Sequence, residues 1–142
     1  MHNIPMKKIY IVDDDRGIVE SMGIVLKAHG YAVEAQYDER NIISNLIKEK
    51  PDLVILDVIF PENESAGFDI AREIRSNAQT AGMPVIMLSA INEKGVYAGT
   101  FSNKDRDDSW LPVNQFIEKP IRPAQLLEKV KEVLEKASPS KA

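Results

Sequence analysis

An α/β fold, with a parallel sheet between two layers of helices, is what this sequence predicts, and three observations predict it. Four short apolar runs (Ile9 to Val12, Leu53 to Leu56, Val85 to Leu88 and a weaker Phe116-Ile117) are continuous rather than alternating. Strands of that kind are covered on both faces, as in a parallel sheet. Between the runs lie segments whose apolar residues recur every three to four positions. Strand and helix in alternation wind into a sandwich through right-handed crossovers. The length of 142 residues makes one domain. Such a chain buries roughly 70% of the surface it exposes when unfolded and needs no staples to fold.

In chain order, the run ending at Val12 is the first strand. Ile18, Met22, Val25 and Leu26 set the first helix, which stops at His29-Gly30 because glycine suits a helix end. Tyr31 to Ala35 alternates polar and apolar and predicts an edge strand. Ile42, Ile43, Leu46 and Ile47 make a second helical stripe, closed by Pro51 before the third strand; Phe68, Ile70, Ala71 and Ile74 make the third helix, before the fourth strand. Asn92 to Pro112, with Gly95, Gly99, the polar run NKDRDDS and a lone Trp110, has no regular period. It is expected to be a long irregular fourth crossover, with Trp110 as a packing anchor, and loops of that length are usually functional or disordered. After Phe116-Ile117, the residues Leu126, Leu127, Val130, Val133 and Leu134 set the last helix, entered through Pro123, a good first-turn residue. Five such units fit a flavodoxin-like (βα)5 three-layer sandwich with sheet order 2-1-3-4-5. Residues 1–137 are expected to be the domain, and 138–142 a disordered tail or the start of a linker.

Composition removes several classes of function. Hydrophobic residues are 44% and charged residues 28% of the chain, as in ordinary globular domains. No apolar run approaches the roughly 18 residues of a membrane span. The opening MHNIPMKK holds no secretory signal, so a cytoplasmic location is expected. There are no cysteines, which excludes disulfides, thiol catalysis and cysteine–zinc sites. Eighteen basic against 22 acidic residues leave a net charge of -4, which argues against direct nucleic-acid binding.

The apolar runs end in reactive polar residues. The first leads into Asp13, Asp14 and Asp15, the second into Asp57, the third into Ser89, and the last into Glu118 and Lys119. In a parallel sheet those ends share one edge, and ligands bind there, where the strand order reverses. Asp13, Asp14 and Asp57 bring three negative charges against one positive charge from Lys119. Clustered carboxylates repel unless a cation sits among them, and a divalent ion neutralises the set. Oxygen-only ligands point to a hard ion, and few protein ligands point to Mg2+ keeping some waters. A cation beside a carboxylate, a hydroxyl and a lysine is equipment for phosphoryl transfer.

With IYIVDDD, PDLVILDVIFP, MPVIMLSA and FIEKP in this order across nearly the whole chain, the sequence resembles the receiver domain of two-component response regulators. The resemblance implies that Asp57 is the phosphoacceptor, supplied by a sensor histidine kinase or phosphotransfer protein, and that Asp13, Asp14 and Asp57 hold Mg2+ with the backbone carbonyl of Ile59. It implies that Ser89 is the switch hydroxyl, Lys119 the lysine that pairs with the phosphoryl group, and Phe116 the switch aromatic. The bond between Lys119 and Pro120 would be cis. Phosphorylation would draw Ser89 inward and let Phe116 turn in behind it. The fourth crossover, the fifth strand and the last helix would then offer a changed face to a partner protein, an output domain, or a second copy in a phosphorylation-dependent homodimer. Such a module catalyses its own phosphorylation and slow dephosphorylation and is not an enzyme with a free substrate.

The chain departs from that pattern in three places. Pro61 to Gly67 (PENESAG) and the interval from Ser89 to Lys119 are longer than usual. The positions two beyond Asp57 and two beyond Ser89, which tune dephosphorylation in the family, are Ile59 and Ile91. Neither side chain orients a water, so slow loss of the phosphoryl group is expected. Blander readings exist for single residues: Asp15 as a helix cap, Phe116 as simple core, His2 and His29 as solvent-facing. The alternative function is a Mg2+-dependent haloacid-dehalogenase-type phosphohydrolase using Asp13. There Asp13-x-Asp15 fits the pattern, but Arg16-Gly17 follow where Thr or Val is wanted. A flavin-binding reading is weaker, because the first loop is acidic where a phosphate needs backbone amides. No output domain is visible after Lys136.

Overall fold

The computed structural model describes residues 6–38, 40–57, 66–89, 115–118 and 121–137, without the side chains of 66–68, 89, 115, 116, 118 and 137. The strands are β1 (Lys8–Val12), β2 (Ala32–Gln36), β3 (Leu53–Asp57), β4 (Val85–Ser89) and β5 (Gln115–Glu118). They pair in parallel in the order β2-β1-β3-β4-β5, the expected flavodoxin-like winding with β2 at one edge. Among the described residues the helices are α1 (Arg16–Ala28), α2 (Ile42–Glu49), α3 (Ala66–Ser76) and α4 (Pro123–Ala137). The expected irregular crossover over 92–112, with Trp110, lies outside the described residues, as does the 138–142 tail.

The continuity of the apolar runs has a direct structural cause. Side chains alternate across a strand, and both faces of this sheet are covered. Ile9, Ile11, Leu53, Ile55, Ile86, Leu88 and Ile117 pack on Val19, Met22 and Leu26 of α1 and on Leu126, Val130 and Val133 of α4. Tyr10, Val12, Val54, Leu56, Val85 and Met87 face the other way, onto Ile42 and Leu46 of α2 and Ile70, Ala71 and Ile74 of α3. Each fully buried aliphatic side chain stabilises the fold by about 1.5–3 kcal/mol. A half-exposed ion pair such as Lys8 Nζ to Glu49 Oε1, at 2.9 Å, contributes about 0–1 kcal/mol. The two cores therefore decide the fold, and the ion pair trims it.

The ends of the elements follow local chemistry. Asp15 is the N-cap of α1, its Oδ1 accepting the Ile18 N–H at 3.1 Å, which is the capping role expected for it. Gly30, just past the His29 C-cap, sits at φ +92°, where a side chain is strained. α2 ends before Pro51 as expected, but it is bounded by Asn41 and Lys50 at φ 55° and 50° rather than by glycines. Between α3 and β4, buried Thr80 donates from Oγ1 to the Ile74 carbonyl at 2.7 Å. Arg75 Nη1 reaches the carbonyls of Ala81 and Met83. These bonds tie the turn down and set where β4 begins. No helix among the described residues is long and apolar enough to cross a membrane.

Candidate functional site

The register of the sheet brings the acidic residues together. Val12 of β1 lies opposite Leu56 of β3, so the next positions, Asp13 and Asp57, stand level. Both continue the face of Ile9, Ile11, Leu53 and Ile55, the side covered by α1 and α4. The carboxylates of Asp13, Asp14 and Asp57 come to within 4.8 Å of one another. Asp13 is 0% and Asp57 4% exposed, whereas Asp14 is open to solvent. The backbone helps to hold the first of them: the Asp15 N–H donates to Asp13 Oδ1 at 3.0 Å, and the Asp13 N–H donates to the Gln36 carbonyl at 3.2 Å.

This donor set fits a hard divalent cation. Two buried carboxylates side by side repel and have left water, a costly arrangement unless positive charge or hydrogen bonds compensate it. All three donors are oxygens, with neither nitrogen nor sulfur in the group, and one of the three faces solvent, from which an ion would arrive. The cluster is therefore one that could bind a metal.

The remaining predicted residues are placed to different degrees. Leu88 of β4 pairs with Asp57, and Ser89, the last residue of that strand, pairs with Glu118 at the end of β5. Ser89 and Phe116 thus have backbone positions, at the end of β4 and in β5. Lys119, Pro120, Ile59 and Ile91 lie outside the described residues, as does most of the loop from Pro61 to Gly67. His29 is exposed, and its ring Nδ1 lies 3.1 Å from the Val25 carbonyl oxygen.

A separate hollow, a groove of about 460 Å³ between α1 and α4, is lined by Ile18, Met22, Val25 and Leu126 with Asp15 among them. Nothing in that lining resembles a phosphate cradle, so charge rather than concavity marks the chemical site.

Two polar features escaped the sequence reading. The Arg16 guanidinium carbon sits 4.0 Å from the centroid of the Tyr37 ring. Tyr10, buried in the core, donates its hydroxyl to Gln36 Oε1 at 2.7 Å, and Asn45 Nδ2 donates to the same oxygen at 2.9 Å. Burial, and then the negative charge of Glu49, push the Tyr10 phenol above its ordinary pKa. Each feature joins residues from different elements, and no sequence spacing encodes that.

Comparison with known proteins agrees with this geometry. The family model for the response regulator receiver domain matches residues 9–131. The response regulator MprA of Mycolicibacterium vanbaalenii is 31% identical over 137 residues, covering 93% of this chain and 52% of that protein. The chain thus spans about half the length of this curated relative. Among solved structures, the chemotaxis protein CheY4 of Vibrio cholerae superposes with a TM-score of 0.74 at 26% identity, covering 91% of this chain and 99% of that one. A CheY-like receiver domain protein from Methanospirillum hungatei gives 0.74 at 28% identity, covering 94% and 97%.

Proposed function

Since the chain belongs to the receiver domain family of response regulators, we propose that Asp57 is its phosphoacceptor and that a phosphohistidine on a kinase or phosphotransfer protein is the donor. A carboxylate oxygen of Asp57 attacks the phosphorus, the bond from phosphorus to the imidazole nitrogen breaks, and the electron pair returns to the ring, which takes up a proton. The product is an acyl phosphate on Asp57. Asp13, Asp14 and Asp57, with the Ile59 carbonyl, would hold Mg2+. When bound, that ion offsets the negative charge gathered between the carboxylates and the phosphoryl oxygens. Lys119 pairs with one phosphoryl oxygen and Ser89 donates its hydroxyl to another.

The observation that carries this reading is the convergence of three carboxylates, two of them buried, from two level strand ends. The haloacid-dehalogenase-type alternative, with Asp13 as nucleophile, finds no support: the family match is to the receiver domain.

Residues 1–137 form the receiver unit in this proposal, and 138–142 lead away from it. The module works in the cytoplasm. Its output is a shift of Ser89 and Phe116 that changes the surface of the fourth crossover, β5 and α4. That surface is read by a protein partner, an output domain, or a second copy. Such a population shift needs a few kcal/mol of differential stabilisation, which several charge-assisted hydrogen bonds can supply.

The test is to incubate the protein with Mg2+ and acetyl phosphate and weigh it intact beside Asp57→Ala. The expected result is one added phosphoryl group that requires Mg2+ and is absent from the variant. No uptake by the wild type, or equal uptake by Asp57→Ala, would overturn the assignment.

A further inference from the structure

We propose that Tyr37 is a positioning residue for the acidic site: its ring holds the Arg16 guanidinium on the β2 flank and keeps that cation off the three carboxylates. The inference rests on the reading that Asp13, Asp14 and Asp57 hold Mg2+.

Arg16 is the first residue of α1, two positions beyond Asp14. A side chain of that length starts within reach of the cluster, and an arginine fork pairs readily with carboxylates, two oxygens at a time. Paired there, it would cover the oxygens a hard cation needs and cancel part of the charge that attracts one.

The structure shows the guanidinium elsewhere. It lies 4.0 Å from the centre of the Tyr37 ring, and among the described residues Arg16 makes no ion pair. Tyr37 directly follows β2, which lies on one side of β1, while Asp57 ends β3 on the other. The ring is itself held, half-buried against the core on the α1 and α4 side. Glu20, Lys27 and Glu34 line the same groove of about 650 Å³ as Arg16 and Tyr37. Stacking at an exposed site favours this position by about two- to fivefold.

Titration calorimetry of Mg2+ into the full chain at low ionic strength tests the idea. Tyr37→Leu and Tyr37→Gln, read in parallel because either alone could perturb folding, are each expected to weaken Mg2+ binding, by at most about two- to fivefold. Tyr37→Phe, which keeps the ring face, should match the wild type. In an Arg16→Ala background either ring-less substitution should leave the affinity at that of Arg16→Ala alone, a result that mere structural damage at Tyr37 would not give. Unchanged affinity in both ring-less variants, a loss in Tyr37→Phe equal to theirs, or a loss that persists without Arg16 overturns this inference alone. Wild-type protein that binds no Mg2+ overturns the metal reading, and this inference with it.

Discussion

Asp13, Asp14 and Asp57 sit together because two strands run level, yet each was conspicuous in the sequence before any distance was known. Acidic residues at the ends of apolar runs are uncommon enough, and parallel winding restrictive enough, for the order of the chain to indicate their meeting place. The stack of Arg16 on Tyr37 left no such trace. It depends on where one side chain turns after its helix begins, and no motif or spacing joins the two partners. Ile59 and Ile91 also matter as single residues. Hydrolysis of an acyl phosphate needs an oriented water, and an aliphatic side chain has no hydrogen bond with which to orient one. Phosphoprotein freed of donor should therefore persist for hours when followed by intact mass. Decay within seconds that a chelator stops would contradict this.

Among the elements, the strands were the most legible, because a run buried on both faces has to be apolar throughout. β2 is the instructive exception. Its pattern alternates because it lies at the edge of the sheet, with Glu34 turned to solvent. It also runs over Ala32–Gln36, one residue later than the alternation suggested. The C-terminal limit of α2 was legible at Pro51; the left-handed conformation of Lys50 has no signature in a residue that usually avoids it, whereas Asn41 is of a type that adopts it more readily. α1 offers a test of division of labour within Asp13-Asp14-Asp15. Asp15 caps the helix through Ile18 and is not among the clustered carboxylates. Asp15→Ala should lower stability by about 1 kcal/mol in urea unfolding and leave uptake of phosphoryl from acetyl phosphate intact. A complete loss of uptake would place Asp15 in the chemistry instead.

Over the whole molecule, stability at alkaline pH turns partly on Tyr10. Its folded-state pKa is raised above the ordinary value of 10.0, so the folded protein keeps the phenolic proton longer than the unfolded chain does. The resulting stabilisation is fully present below pH 10.0 and is lost as the pH rises through the folded-state value. The urea midpoint should fall on going above pH 10.0, and less steeply in Tyr10→Phe. Equal slopes in the two proteins would show that Tyr10 is not the group responsible.

The sheet order has one more consequence. β1 is made first yet lies inside the sheet, and both of its neighbours, β2 and β3, are complete by Asp57. A chain leaving the ribosome from its amino end has therefore produced all three clustered carboxylates before Ser89 or Lys119 has been synthesised. Vectorial synthesis thus delivers the acidic half of the proposed site first and the hydroxyl and ammonium groups proposed for it last.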